Sequence, residues 1–319
     1  MSIENKKKGS DVDKAAVLLQ AGKLVGIPTE TVYGLAANAL NTKAVASIFT
    51  AKNRPTFDPL IIHVPSIKSA LNYVKDIPPQ LLILANAFMP GPLTLLLEKK
   101  AIISDLLTAG LPRVALRIPR HPLAQKLLQQ IDFPLAAPSA NPFGYISPTV
   151  ADHVLAQLQK KVAYVLDGGP CKVGLESTIV GIDQGKVVVY RKGGLSIEKI
   201  EALIGDVQVK EHSSSNPAAP GMLKSHYAPS RPLRLLTSED FKACVVKEKI
   251  AYLGFQTPKP GAKTSLLLSE SGDLEVAAQN LFAYLRLLDQ ADIDGIIAEL
   301  LPEKGLGRAI NDRLKRAAV

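Results

Sequence analysis

From Asp11 to about Gly205 the chain alternates short apolar runs with segments whose apolar residues return every three or four positions. Asp13–Gly22 reads as a helix stopped by its glycine, and Lys23–Ile27 as the strand after it. Asn41 has the chemistry of an N-cap for a helix running to Lys52, and Leu60–Val64 is a second apolar strand. The same patterning predicts strands at Leu93–Glu98, Val114–Ile118, Ala163–Leu166, Thr178–Ile182 and Val187–Arg191, and helices at His121–Ile131, Val150–Lys160 and Ser196–Ile204. Strands interleaved with helices in this way predict an α/β domain with one large, partly parallel sheet.

The texture then changes. Asp206–Arg231 contains SSSNPAAPG and HYAPSRP, too rich in Ser, Pro and Gly for regular structure, and too long for an idle connection. After Pro232 the alternation resumes on a smaller scale. Strands are predicted at Leu233–Leu236, Lys249–Phe255, Ser265–Leu268 and Ile293–Ala298, and helices at Asp273–Leu288 and Leu306–Ala317. The expected organisation is a flexible N-terminus over 1–10, a main domain over 11–205, a linker over 206–231, and a smaller Rossmann-like α/β domain over 232–319.

Composition narrows the class. With 319 residues, 47% of them hydrophobic and 21% charged, the chain has the material for two packed cores. No apolar run is long enough to span a bilayer. The basic start MSIENKKKGS runs into Asp11 and Asp13 where a signal peptide would be apolar, so a cytoplasmic protein with no membrane contact is expected. Cys171 and Cys244 lie far apart in no ligand-like spacing, which reads as two free thiols without a zinc site. The net charge of +9 favours anionic partners such as nucleotides, phosphates or nucleic acid.

Several signatures are missing from the sequence: the GxxxxGK[ST] phosphate loop, the GxGxxG dinucleotide fingerprint, the GxSxG elbow around Ser139, and HExxH. Four polar clusters nevertheless sit beside apolar strands, where α/β sheets collect ligands. They are Pro28–Leu35, reading PTETVYGL; Lys52-Asn53-Arg54-Pro55 with Asp58 and His63; Arg113 and Arg117 on one face of one strand; and Pro138-Ser139-Ala140-Asn141 followed by Ser147-Pro148-Thr149. Singly, each has an ordinary structural explanation. The threonines could cap a turn, Lys52 could face a helix dipole, His63 could be a core histidine, and Arg117 could belong to a structural ion pair.

Together, PTETVYGLAANA, KNRP…DPLIIHV, ALRIPRH, APSANPFGYISPT, GLESTIV and YRKGG resemble the YrdC-like threonylcarbamoyl-AMP synthases in order and spacing. PGMLKSHYAP and the final GLGRAINDRLKRAA are similar to the longer, two-domain branch of that family, so the resemblance spans about residues 11–317. It implies a twisted mixed sheet with a large concave, basic cavity. It also implies a reaction in which L-threonine, bicarbonate and ATP give threonylcarbamoyl-AMP and pyrophosphate, with Mg²⁺ accompanying ATP and no metal ligand assigned to the protein. The product would pass to a tRNA threonylcarbamoyl transferase complex for t6A modification, with at most a weak contact to tRNA itself.

Carried over residue by residue, the family's threonine positions fall on Thr31, His63, Arg117, Ala137 and Ser177. Its nucleotide positions fall on Arg54, Asp58, Arg113, Ser139, Ser147, Arg191 and Tyr227, and its KxR and SxN pairs on Lys52, Arg54, Ser139 and Asn141. A planar guanidinium at Arg117 suits a carboxylate, and Lys52, Arg54 and Arg191 would supply cations to a triphosphate that has no phosphate loop. Three positions depart from the family pattern. Asp58 replaces a usual Asn and would set an acid beside a polyanion, Asn53 replaces a frequent Gly, and Arg113 replaces a smaller polar residue. The linker's Met222, Leu223, His226 and Tyr227 are expected to dock over the cavity as a lid hinged at Gly221, the alternative being a tether packed on the second domain. A non-catalytic RNA-binding module is the other reading of the charge. Aromatics at 5%, no Trp and no stacking motif speak against it. A carbamoyl transferase of the hydrogenase-maturation type would need acylphosphatase-like and zinc-finger segments, which the sequence lacks.

Overall fold

The computed structural model describes residues 7–210, 217–222, 226–236 and 249–318. Cys244 and Leu223 lie outside these residues.

Eleven strands form one mixed sheet. In chain order they are β1 (Lys8–Gly9), β2 (Val25–Ile27), β3 (Gly34–Asn38), β4 (Ile61–His63), β5 (Leu93–Glu98), β6 (Arg113–Arg117), β7 (Leu135–Ala136), β8 (Tyr164–Leu166), β9 (Thr178–Asp183), β10 (Lys186–Arg191) and β11 (Gln208–Val209). Across the sheet they run β1-β8-β2-β3-β7-β4-β6-β5-β9-β10-β11; β2-β3, β3-β7 and β7-β4 pair antiparallel, and from β4 to β10 parallel and antiparallel neighbours alternate. The helices of this domain are α1 (Val12–Gln20), α2 (Thr42–Lys52), α3 (Ile67–Ala70), α4 (Pro79–Phe88), α5 (Asp105–Thr108), α6 (Pro122–Gln130), α7 (Ala151–Leu158) and α8 (Ile197–Ile204).

Local chemistry fixes the ends that matter. Asn41 caps α2 by accepting from Ala44 N at 3.1 Å. Asn53 closes the same helix in the left-handed region at φ 52°, which Asn tolerates better than most residues. One expectation is corrected at the N-terminus. Lys8–Gly9 pairs in parallel with β8, so the described part of 1–10 belongs to the sheet.

The second domain has four parallel strands, β12 (Leu233–Leu236), β13 (Ile250–Gly254), β14 (Thr264–Leu267) and β15 (Gly295–Glu299), in the order β12-β15-β13-β14. Among the described residues its helices are α9 (Leu274–Gln290) and α10 (Gly307–Ala317). The two domains share apolar packing: Val32, Ile146 and Leu175 of the first join Phe282, Leu285 and Ile310 of the second in one buried cluster. Arg286 of α9 reinforces the junction by donating to the carbonyls of Ile146 and Ser147.

Candidate functional site

The threonine-rich turn between β2 and β3 forms one wall. Thr29 Oγ1 donates to Val32 O at 2.6 Å and lies 2.8 Å from Thr31 Oγ1. Thr31 Oγ1 in turn accepts from Arg117 Nη1 at 2.7 Å. Arg117 ends β6 directly beside His63, which ends the parallel strand β4, so sheet register brings the two together. The guanidinium also donates to Glu30 Oε1 at 2.8 Å and to Gly91 O at 3.2 Å. Burial and the neighbouring Arg117 push the His63 pKa down to about 3, so its ring is neutral at physiological pH. His63 Nδ1 is buried without a hydrogen bond.

Lys52 and Arg54 divide a second wall between them. Lys52 is buried, and its Nζ donates to the carbonyls of Ser139 at 2.6 Å and Asn141 at 2.5 Å. Asn141 Nδ2 continues this brace to Pro142 O and Tyr145 O, each at 2.8 Å. Lys52 and Asn141 therefore fasten the 138–141 loop to the end of α2. The expectation that Lys52 offers its charge to phosphate is corrected, because its ammonium is aimed at main-chain carbonyls. Arg54 faces the cavity and pairs with fully buried Asp58 at 2.9 Å. Asp58 is corrected as well: its carboxylate is answered by Arg54 and lies behind it, not bare beside a polyanion.

The third wall comes from the start of β9 and the end of β10. Arg191 donates through Nε and Nη2 to Ser177 O at 3.1 and 2.8 Å, through Nη2 to Ser177 Oγ at 3.1 Å, and through Nη1 to Pro220 O at 3.3 Å. Burial lowers its pKa to about 10, so it keeps its charge at neutral pH. Glu176 accepts from Ser147 Oγ at 2.5 Å and from Arg313 Nε, reaching over from α10, at 2.9 Å. Burial disfavours the Glu176 charge, but Arg313 and Arg191 hold its carboxyl below the usual range.

The linker closes the space from above. Ala219 and Met222 pack on Ile61, Ala115, Ile179 and Tyr190 of the main sheet. Tyr227, at φ +70°, stacks on Phe282 of the second domain at 5.5 Å and lies under the guanidiniums of Arg313 and Arg316. What remains is a cavity of about 50 Å³. Pro220, Gly221, His226 and Tyr227 of the linker line this cavity.

Arg54, His63, Arg117, Ala137, Ser139, Ser177, Arg191 and Tyr227 line that cavity. Thr31, Lys52, Asp58, Asn141 and Ser147 are buried one layer behind, bonded to lining or neighbouring groups. Arg113 does not line this cavity. It shares a face with Arg117 but sits at the far end of β6, donating to Ile182 O at 3.1 Å and Tyr190 Oη at 3.0 Å, outside the cavity. Sequence reasoning missed Glu30, Glu176 and Arg313. The two acids carried a usable signal: each stands in a buried segment beside a strand, where a carboxylate requires a cationic partner.

Two family descriptions match the chain: the Sua5/YciO/YrdC domain, described as telomere recombination, over residues 17–193, and the threonylcarbamoyl-AMP synthase C-terminal domain over residues 195–319. The threonylcarbamoyl-AMP synthase of Pyrococcus abyssi is 41% identical over 318 residues, covering 95% of this chain and 93% of that one. The Bacillus subtilis enzyme of that name is 39% identical, covering 96% and 92%. A crystal structure of P. abyssi Sua5 complexed with L-threonine superposes with a TM-score of 0.90 at 39% identity, over 96% of this chain and 94% of that one. The matches run through both domains, the linker between them and every wall of the cavity, and on that footing the chain belongs to the threonylcarbamoyl-AMP synthase family, in its two-domain form.

Proposed function

We propose that the protein converts L-threonine, bicarbonate and ATP into threonylcarbamoyl-AMP and pyrophosphate. The observation that carries this reading is the near full-length likeness to a structure holding L-threonine, combined with three arginines converging on one cavity. In this reading threonine sits against Arg117, His63, Ala137 and Ser177, with Thr31 fixing the Arg117 guanidinium. The nucleotide lies along Arg54, Ser139 and Arg191 under Tyr227. The threonine nitrogen attacks the bicarbonate carbon and water leaves. A carboxylate oxygen of the resulting carbamate then attacks the α-phosphorus in line, and the bond to the pyrophosphate oxygen breaks. Positioning and charge neutralisation supply the catalysis; no covalent nucleophile is assigned.

Mg²⁺ enters this scheme on the ATP phosphates. Asp58 and Glu176 are each paired with an arginine, and among the described residues no group of three or more His, Cys, Asp or Glu could hold an ion, so no step is routed through a protein-held metal. Pro220, Gly221, His226 and Tyr227 of the linker line this narrow cavity, and in this reading the linker lifts to admit the nucleotide and closes over it. Closure would shield the adenylate from water. The product is proposed to pass to the tRNA-modifying transferase in the cytoplasm. Among the described residues no helix is long and apolar enough to cross a membrane. Incubation with ATP, threonine and ¹³C-bicarbonate, followed by mass spectrometry, tests the reaction: the adduct should carry the heavy carbon. An unlabelled adduct, or none, would refute it.

A further inference from the structure

The three arginines that line the cavity differ in how their charge is answered. Arg54 has Asp58 at 2.9 Å and Arg117 has Glu30 at 2.8 Å, both pairs almost wholly buried. Among the described residues no carboxylate pairs with Arg191, which donates instead to the Ser177 and Pro220 carbonyls and the Ser177 hydroxyl. Glu176, near it, is bound to Arg313 and Ser147.

Glu30 is held from several directions. Its Oε1 accepts from Arg117, its Oε2 accepts from Arg120 N at 2.9 Å, and its main-chain carbonyl accepts from Val173 N at 2.7 Å. The carboxylate has no freedom to swing away when a ligand arrives. Only 6% of the residue is exposed, so water does little to screen it. The end of the cavity that holds Arg117 is therefore electrically neutral before any substrate binds, although it presents N–H groups.

We propose that Glu30 is a specificity-determining residue acting through Arg117: it admits a singly charged carboxylate and keeps phosphate groups out of the amino-acid end. The inference rests on the proposed reaction. Two substrates that both present oxyanions must enter one cavity in one orientation, and a bare guanidinium would prefer the more highly charged. Arg54 and Arg117 each have a carboxylate of their own, whereas Arg191 shares Glu176 with Arg313, so the densest phosphate charge is drawn to Arg191 and the amino acid is left the Arg117 end. Arg117 still attracts each extra unit of ligand charge, but Glu30 behind it takes back a part that, at about 7 Å and an effective dielectric of about 20, amounts to roughly 10–100-fold in affinity relative to the same arginine without its acid.

Titration calorimetry on the full chain tests this, with threonine, its phosphonic acid analogue at a pH where the phosphonate is a dianion, and tripolyphosphate as probes. The ratio of phosphonate to threonine affinity should be roughly 10–100-fold lower in wild type than in Glu30→Gln. Wild-type threonine affinity should be insensitive to tripolyphosphate. Glu30→Gln should narrow the phosphonate gap and make tripolyphosphate compete with threonine, while Glu30→Asp, which keeps the charge, should behave as wild type. Competition between tripolyphosphate and threonine in wild type overturns the proposal, and needs no variant to fold. An unchanged gap in Glu30→Gln, or competition in Glu30→Asp, also overturns it. If wild type binds no threonine at all, the parent reaction falls and this inference with it, an outcome distinct from the others.

Discussion

Arg54 and Arg117 each pair with a buried carboxylate, so removing either guanidinium would leave an uncompensated acid in the core and confuse binding with folding. Lysine is the cleaner substitution, because it keeps the charge and loses the planar fork. Arg117→Lys should weaken threonine and spare ATP, and Arg54→Lys the reverse, each by about 10–150-fold for one charged hydrogen bond. Calorimetry with each substrate alone reads this, and the opposite pattern would sink the assigned roles. His63 makes a prediction about pH. Its folded pKa is about 3 and its unfolded value about 6.5, so between those limits the unfolded chain takes up a proton that the folded one refuses. Stability should then fall as pH drops from about 6.5 towards 3. His153, lowered to about 4, and His226 act in the same sense. His63→Gln should flatten the slope by about 1.4 kcal/mol per pH unit in urea unfolding between pH 6 and pH 5; an unchanged slope would contradict the buried neutral ring. Part of this was legible in the sequence. An arginine between apolar neighbours on a strand needs an anion, which marked Arg117. The duty of Lys52 was not legible, because the carbonyls of Ser139 and Asn141 that receive its ammonium lie far along the chain and leave no local pattern.

In the proposed mechanism the linker opens and closes over the site. Gly221 sits at φ +71°, and a Cβ added there would come within 3.0 Å of Arg191 Nη1. Gly221→Ala therefore strains the closed arrangement twice, through the left-handed backbone and through the arginine. The backbone alone costs about 1–2 kcal/mol, enough to shift closure by roughly 5–30-fold. Steady-state turnover should drop by that factor with the threonine KM nearly unchanged. Wild-type turnover in Gly221→Ala would show that the linker is only a tether. The tether reading holds for one of its residues, since Tyr227 does pack on Phe282 of the second domain, while Met222 packs on the first. Legibility was uneven among the elements. The N-cap Asn41 and the apolar periodicity gave α2 to the residue. β3, with the sequence GLAAN, has no β-branched side chain and becomes a strand only because β2 and β7 flank it. α4 escaped prediction because its run of LLILA lacks helical alternation, and Pro79 is the chief sign of its start.

At the scale of the whole molecule, the second domain completes the site from outside. Arg313 of α10 crosses the junction to Glu176, which in turn holds Ser147, and the shared apolar cluster makes the crossing rigid. Arg313→Ala leaves the buried Glu176 carboxylate without its cation, at a cost of about 3–5 kcal/mol. Denaturant unfolding should show that loss, and adding Glu176→Gln should recover much of it. A loss under 1 kcal/mol would mean the pair does little. The two-domain division was legible from the Ser, Pro and Gly content of 206–231. The shared core was not, because Val32, Ile146 and Leu175 look like ordinary first-domain residues until α9 and α10 lie against them. The central claim is that one cavity joins three substrates in one reaction. The direct measurement is pyrophosphate release by the full-length protein with each substrate omitted in turn. Release only when ATP, threonine and bicarbonate are all present is the predicted result; equal release without an amino acid, or with serine in its place, would contradict it.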